Sequence, residues 1–383
     1  MKAEDRLVLY VTSHGNSSSD RNSPYNTTIS LWNNQRISVR EVVNLLDRLP
    51  EGVRVVAIMV QCHAGGFARF IYNEGDAKKG LSSQERCGFY ATVHDRQAGG
   101  CTPEVNEASY VEYSSYFWEA LGGRSRTGEE IELPDYDGDG KVSFDEAHAY
   151  TVLKADTIDL PIKSSGEFLG IESLFANKRY PDLLSDDEPY AVILNRATAS
   201  EKSVLDGLST QLELSGDNRV SAARQKTQEL SRSTRGRPAN PSQQLRQKIA
   251  NDLKRRWPEL ANVLNAVPLE LLTTRSTEFI TAVESHRDSK RYRELAETFA
   301  QHPSPEKQKV KYERFVRTAE NVILRENLQL LDDKERLAEY EAIVKAENSW
   351  LTNFYLRLLE HRWLRPASLP CQQSPEPRVV PSL

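Results

Sequence analysis

The sequence predicts an α/β fold, in which helices cover both faces of a mostly parallel sheet, followed by a helical C-terminal region. Three short apolar segments rich in β-branched or aromatic residues are typical of buried strands: 7–15 (LVLYVTSHG), 55–60 (VVAIMV) and 87–93 (CGFYATV). Polar loops and helical stretches separate them, a pattern typical of a three-layer α/β/α sandwich. After about residue 195, charged and helix-prone sequence replaces the strand pattern.

The elements between these strands carry local signals of their own. A polar loop, 16–28, follows the first strand. A helix is predicted over 38–48, where Ser38 can cap the N-terminus and Glu41 completes a capping box. The polar loop 94–104 follows the third strand, and a second helix is predicted over 110–121, which two glycines close.

We expect three regions along the chain: an α/β domain over 1–190, a helical region over 191–365 and a proline-rich disordered tail over 366–383. Within the helical region, 231–241 predicts a flexible linker. Apolar residues at helical spacing predict a long helix or a helical pair over 307–364. The helical region carries no chemical motif, so we expect a coiled-coil or similar module that binds a protein partner.

Composition narrows the choice of partners and compartment. The net charge of the 383 residues is only -5, so neither nucleic acid nor an anionic membrane is an expected partner. We find no apolar run approaching the roughly 18 residues of a membrane span and no signal peptide, and cytoplasmic location is the default expectation. Four sparse cysteines fit a reduced compartment, although Cys87 and Cys101 would be able to pair in a secreted protein.

Two predicted strands end in groups suited to acyl transfer. His14 and Gly15 follow the first strand, and Cys62 follows the second, so both would lie beyond the carboxyl edge of the sheet. A thiol nucleophile needs such an acid–base partner. We expect Gly15 and the small residues 64–66 to let a substrate carbonyl approach the backbone and its N–H groups. The alternative is a cysteine that serves as a small buried apolar residue, beside an incidental histidine.

The segments LVLYVTSHG and QCHAGG, with Cys62 48 positions after His14 (62 − 14), resemble the caspase-like cysteine peptidases, particularly their legumain-like branch. The resemblance covers about residues 5–165. It implies a caspase-like sandwich, with His14 as the acid–base residue, Cys62 as the nucleophile, and the backbone N–H groups of Gly15 and Cys62 as the oxyanion hole. It further implies a protein or peptide substrate, hydrolysed through a thioester acyl-enzyme.

One departure from this family concerns the start of the chain. The family carries a further strand beside the histidine strand, whereas only six residues precede the strand that leads to His14. We therefore expect that strand to have an unpaired edge: either the chain is an N-terminally shortened version of the family, or another segment or subunit completes the sheet.

Several neighbouring residues are weaker candidates. Asp95 and Arg96, in the loop after the third strand, are expected on the same rim as the cysteine, where they would contact substrate or pair with other residues of their loop. His63 would point to the opposite face if it continued the strand, and we expect it instead in a loop or at the rim of the pocket. Arg69 is expected to face solvent or an acidic substrate group, and Trp32 is expected to pack beside the site.

The acidic segment 135–146 (DYDGDGKVSFDE) matches a calcium-binding loop. Asp135, Asp137 and Asp139 occupy positions 1, 3 and 5, Lys141 offers its carbonyl at position 7, and Glu146 closes the loop at position 12. A helix is predicted to leave the loop but none to enter it, so we expect a single loop whose Ca²⁺ has a structural role. The alternative is a solvated acidic turn.

These features predict a cysteine endopeptidase with a structural Ca²⁺. The main alternative is an inactive or truncated caspase-like scaffold that acts as a calcium-binding interaction module. A third hypothesis is an α/β enzyme that uses the thiol on a non-peptide acyl group.

Overall fold

The computed structural model describes residues 1–100, 111–234, 241–262, 266–301 and 304–350. The chain forms two compact units, Met1–Ser221 with the described part of Arg314–Leu383, and Ala222–Glu313. This division corrects the predicted boundary between 190 and 191, because helices far beyond it pack into the core of the sheet unit. The predicted linker lies partly, and the predicted tail 366–383 entirely, outside the described residues.

The strands within the described residues are β1 Arg6–Val11, β2 Gly15–Asn16, β3 Thr28–Ser30, β4 Arg36–Ser38, β5 Arg54–Met59, β6 Arg86–Tyr90 and β7 Ile162–Lys163. The α-helices are α1 Val39–Leu46, α2 Tyr113–Gly122, α3 Phe144–Lys154, α4 Ser164–Glu172, α5 Tyr190–Arg196, α6 Ala199–Gln211, α7 Arg219–Thr234, α8 Pro241–Arg256, α9 Ala266–Thr273, α10 Ser276–Glu284, α11 Ser289–Gln301, α12 Pro305–Leu330 and α13 Lys334–Glu347.

The main sheet has the order β1-β5-β6-β7. β1, β5 and β6 are parallel, and β7 pairs antiparallel with β6, so the predicted mostly parallel sheet is confirmed. β1 lies at the edge of the sheet, and β5 is its one partner within the described residues. A second, antiparallel sheet, β2-β3-β4, was not predicted, because its strands are only two or three residues long.

Helices cover both faces of the main sheet, as predicted. Side chains of β5 alternate between two apolar clusters. One cluster contains residues of α1, α4, α12 and α13, and the other contains residues of α2 and α3. Each fully buried valine, isoleucine or phenylalanine contributes about 1.5–3 kcal/mol relative to an exposed one. The β5 residues in the first cluster are Val55, Ala57 and Met59, and those in the second are Val56 and Ile58, joined there by Val60, the residue after β5.

The first two predicted helices are confirmed, with shorter bounds. Ser38 caps α1, and its capping box with Glu41 is formed as the sequence indicates. α2 ends at Gly122, and Gly123 follows in the left-handed conformation with φ 69°. For the helical pair predicted over 307–364, the described part consists of α12 and α13.

A buried arginine ties α12 to the sheet unit. Arg314 is 1% exposed and donates to the carbonyl oxygens of Val152, Ala155, Thr157 and Asp159 at 3.2, 2.6, 3.3 and 2.9 Å. These carbonyls lie at the end of α3 and in the segment that leads to β7, where helix and sheet hydrogen bonding supplies no backbone N–H donor. The arginine therefore satisfies backbone acceptors that would otherwise be buried without a hydrogen bond.

A second buried charge joins three elements. The Lys163 ammonium of β7 pairs with Asp145 of α3 and lies 3.4 Å from the carboxylate of Glu347 in α13. Burial opposes the charge on Lys163, but the two carboxylates raise its pKa above the ordinary value. Glu347 also accepts from the N–H and hydroxyl of Ser165 at 2.7 and 2.6 Å. Removal of Lys163 would leave the two carboxylates buried without a counter-charge.

The unit Ala222–Glu313 has a small core of its own. It includes Trp257, whose ring lies 5.7 Å from that of Phe279. The basic run at 254–256 is engaged locally, since Arg255 pairs with Asp252 and Arg256 lies over the Trp257 ring at 4.4 Å. No catalytic motif was predicted in this unit.

His148 makes stability pH-dependent. Its Nδ1 lies 2.7 Å from the Tyr113 hydroxyl, and burial, followed by the charge of Lys163, lowers the pKa of His148 to about 3. Between pH 6.5 and 3 this histidine is therefore protonated in the unfolded chain and neutral in the folded protein. As the pH falls through that range, this group alone should lower the free energy of unfolding by about 1.4 kcal/mol per pH unit. We expect His148→Gln to remove that slope, as measured by urea unfolding at pH 7 and pH 5. Parallel pH dependence in variant and parent would contradict this assignment.

Candidate active site

The parallel pairing of β1 with β5 brings the two predicted catalytic segments to one edge of the sheet. Val11 is in register with Met59, and the next residue, Val60, donates its N–H to the Val11 carbonyl at 3.0 Å. Each strand ends there, so the predicted first strand, 7–15, is four residues too long. His14 is the third residue beyond β1 and is exposed, and Cys62 is the third residue beyond β5 and is half-buried.

Gly15 lies directly against the Cys62 backbone. A Cβ added to Gly15 would be 1.9 Å from the Cys62 carbonyl oxygen and 2.7 Å from Cγ of Gln61. No other residue type fits at this contact without moving the backbone. The segment that carries His14 and the turn that carries Cys62 are therefore in van der Waals contact. The structure thus brings together the two segments that the sequence singles out.

The loop that follows β6 closes over the cysteine turn. Ala98 donates its backbone N–H to the Cys62 sulfur at 3.4 Å, and Arg96 accepts from the His63 N–H through its carbonyl at 2.8 Å. Asp95 is exposed beside them, and Arg96 is half-buried. The predicted position of this loop, on the rim that holds Cys62, is confirmed. Contact of Asp95 or Arg96 with substrate stays a prediction.

His63 does not continue the strand but lies in the turn after β5, so the expected loop position is confirmed. Its backbone is left-handed, with φ 61° and ψ 20°. Its Nδ1 lies 2.8 Å from the His94 carbonyl oxygen, and its own carbonyl accepts from the Thr27 hydroxyl at 3.0 Å. His63 therefore fastens the cysteine turn to two neighbouring loops.

The two glycines after the cysteine have a different purpose from the one predicted. Residues Ala64–Ile71 form a 3-10 helix, in which Gly65 and Gly66 are buried. A Cβ on Gly65 would be 2.7 Å from the Thr92 carbonyl oxygen, and one on Gly66 would be 2.2 Å from the Thr27 hydroxyl. Protein atoms, rather than a substrate, occupy the space that these glycines leave. The expectation that they open the backbone to a substrate carbonyl is wrong.

A stack of side chains that the sequence did not predict lies beside the site. The His94 and Tyr25 rings have centroids 4.0 Å apart, and the Arg69 guanidinium lies 3.9 Å from the centroid of the Tyr25 ring. Arg69 also pairs with Glu167 at 3.0 Å, which corrects the expectation that it faces solvent or substrate. Burial lowers the pKa of His94, which favours the neutral imidazole. These four residues come from four separate segments, and no local spacing signals their contact.

Trp32 is not a packing residue. Its side chain is 92% exposed, on the turn between β3 and β4. The base of that hairpin is nevertheless joined to the candidate site, because Ser30 donates its backbone N–H to the His14 carbonyl at 2.8 Å.

The acidic segment folds into a compact loop. The carboxylate oxygens of Asp135, Asp137 and Asp139 come within 4.8 Å of one another. Asp135 accepts from the Asp139 and Gly140 N–H groups at 3.0 and 2.8 Å, and Gly140 has φ 82°. These features suit a hard cation with oxygen ligands.

The other two predicted metal residues are placed differently. The Glu146 carboxylate accepts from the Tyr136 N–H at 2.7 Å and from the Ser143 N–H at 2.9 Å, so it closes the loop and caps α3. The Lys141 ammonium lies over the Trp350 ring, 3.7 Å from its centroid. The predicted exiting helix is α3, and α2 ends 12 residues before Pro134, so no helix leads directly into the loop.

Comparisons of the chain with protein-family models, with curated proteins and with solved structures give no match. Among the helices that the structure describes, none is both long and apolar enough to cross a membrane.

We expect Gly15→Ala to lower the free energy of unfolding by about 1–3 kcal/mol, because the added methyl group overlaps the Cys62 carbonyl. The matched control is Gly170→Ala in α4, where an added Cβ meets nothing within 4 Å and helix propensity favours alanine. Urea unfolding of both variants measures the difference. A Gly15→Ala protein as stable as the Gly170→Ala control would contradict the contact between the two segments.

Proposed function

We propose that this chain is a cysteine endopeptidase of caspase-like architecture, with Cys62 as the nucleophile and His14 as the acid–base residue. The observation that carries the proposal is the close contact of Gly15 with the Cys62 backbone, since it places the segment next to His14 against the cysteine turn. A thiol and an imidazole on adjacent loops beyond the carboxyl edge of a parallel sheet are the pair that acyl transfer requires.

The proposed reaction has two stages. The imidazole of His14 takes the Cys62 proton, and the sulfur attacks the carbonyl carbon of the scissile peptide bond. The oxygen of the tetrahedral intermediate would accept from the backbone N–H groups of Gly15 and Cys62. The C–N bond then breaks as His14 gives the proton to the leaving amine, which leaves a thioester. In the second stage His14 takes a proton from water, hydroxide attacks the thioester, and the thiol is restored as the acid departs.

The surroundings of Cys62 support this assignment over that of a merely packed cysteine. Cys62 is half-buried, and its sulfur accepts from the Ala98 N–H, which is a suitable hydrogen-bond donor for a thiolate. Cys87 provides the contrast within the same sheet. It is fully buried in β6, and burial raises the pKa of its thiol well above the ordinary value.

We further propose that the loop at 135–146 binds Ca²⁺ through the carboxylates of Asp135, Asp137 and Asp139, the Lys141 carbonyl and Glu146. The three aspartates already converge, and Glu146 lies against the backbone of the same loop. The ion would offset the mutual repulsion of these carboxylates and fix the start of α3. Since Asp145, within the same loop, pairs with Lys163 of β7, the loop is joined directly to the main sheet.

Cleavage of an unfolded protein tests the peptidase assignment. We expect the parent chain to cleave reduced, denatured casein, and Cys62→Ser and His14→Ala each to lower the rate by at least about a hundredfold. The control is His286→Ala, which alters a histidine that pairs with Asp252 in the other unit. New peptide termini are counted by mass spectrometry. Equal rates in the parent and Cys62→Ser would rule out the proposed nucleophile and favour the scaffold alternative.

Titration calorimetry tests the calcium loop. We expect the parent to bind one Ca²⁺, and Asp137→Asn combined with Glu146→Gln to abolish binding, because two ligand charges are lost while side-chain size is kept. The control is Glu129→Gln combined with Glu132→Gln, which removes the same charge from exposed positions outside the loop. No heat of binding at about 1 mM Ca²⁺, the weak end of the range for such loops, would contradict the site.

A further inference from the structure

An apolar pair stands in solvent at the tip of the β3–β4 hairpin. Leu31 is 45% and Trp32 is 92% exposed. An exposed tryptophan offers a large, rigid apolar surface and is the residue type most enriched at binding hot spots. A single exposed apolar side chain needs no explanation, but this pair is held by a constrained turn and lies next to the segment of His14.

The turn holds Trp32 outward through a constrained backbone. Leu31 donates its N–H to the Gln35 carbonyl at 2.8 Å, and Gln35 donates to the Trp32 carbonyl at 3.2 Å. Between them, Asn33 and Asn34 both have positive φ, 57° and 59°. Asparagine tolerates the left-handed region better than most residues, but two in succession are uncommon. The turn therefore constrains the backbone that carries Trp32.

The base of the same hairpin is joined to the segment of His14. Ser30, the residue before Leu31, donates its N–H to the His14 carbonyl at 2.8 Å and accepts from the Ser13 hydroxyl through its own carbonyl at 2.8 Å. The Ser30 hydroxyl also accepts from the Asn16 side chain at 3.0 Å. The apolar pair thus begins one residue from a direct hydrogen bond to the proposed acid–base residue.

The chemistry of the proposed reaction indicates which part of a substrate lies beside the β3–β4 hairpin. His14 delivers a proton to the leaving amine, so the segment of His14 lies on the amine side of the scissile bond. The residue that follows the scissile bond belongs to that leaving amine. The hairpin attached to His14 is consequently beside the substrate residues on the amine side, rather than those on the acyl side.

We propose that Leu31 and Trp32 form an apolar recognition surface for the substrate residue directly after the scissile bond, and that they select an aromatic or large aliphatic side chain there. This inference rests on the proposed function. It adds a specificity-determining surface on the amine side of the bond. Burial of an aromatic side chain against Trp32 would remove apolar surface of both groups from water.

Two vinyl sulfone reagents test this surface. Both carry the same acyl-side dipeptide mixture, randomised at the residue next to the reactive carbon, and they differ only in a phenyl or a methyl group on the sulfone. The thiol adds to the vinyl carbon, the neighbouring carbon takes a proton, and the sulfone substituent lies on the amine side. Labelling of Cys62 is followed by peptide mass spectrometry. We expect the phenyl-to-methyl ratio of labelling rates to fall about fivefold in Trp32→Ala, which is in the range of an aromatic pair.

Leu45→Ala is the matched control, because Leu45 is a 50% exposed apolar residue on α1. Its ratio should equal that of the parent. Since Trp32 is almost fully exposed, its truncation leaves the core intact. An unchanged ratio in Trp32→Ala, with Cys62 still labelled, would overturn this inference and leave the proposed function standing. If neither reagent labels Cys62 faster than free glutathione, the proposed function fails and the inference fails with it.

Discussion

The in-register pairing of β1 with β5 is the constraint on which the candidate site depends. Because Val11 lies opposite Met59 and both strands end there, the two following segments must cross the same edge of the sheet. Their backbones approach so closely that only glycine fits at position 15, against the Cys62 carbonyl. A shift of one residue in this register would move the His14 and Cys62 segments relative to each other and turn every β5 side chain to the opposite cluster.

The rest of the sheet unit stabilises this edge. The loop after β6 is fastened to the cysteine turn through His63 and Cys62. On the opposite side, β7 is held by the Lys163 pairs with α3 and α13, and Arg314 satisfies the carbonyls around the end of α3. The C-terminal helices are therefore part of the fold that presents the site. The sequence instead predicted a separate helical region, because the contacts that join these helices to the sheet unit lie between residues more than 150 positions apart.

Features set by local sequence were predictable. The capping box of α1, the apolar runs that form β1, β5 and β6, and the convergence of three aspartates each depend on residues within a few positions of one another. Features set by distant contacts were not. The sequence offers no sign that Gly66 makes room for Thr27, or that Arg69 pairs with Glu167. Trp32 was predicted to pack because tryptophan usually does, and the small sheet that exposes it is too short to leave a periodic pattern.

The measurement that tests the central claim most directly is the alkylation rate of each cysteine in the native protein by iodoacetamide at pH 6, with peptide mass spectrometry as the readout. A thiol assisted by His14 should make Cys62 react at least about tenfold faster than Cys87, Cys101 or Cys371. His14→Ala should bring Cys62 down to the rate of an unassisted thiol. If Cys62 reacts no faster than the other three, or if His14→Ala leaves its rate unchanged, the thiol and the imidazole do not act as a pair.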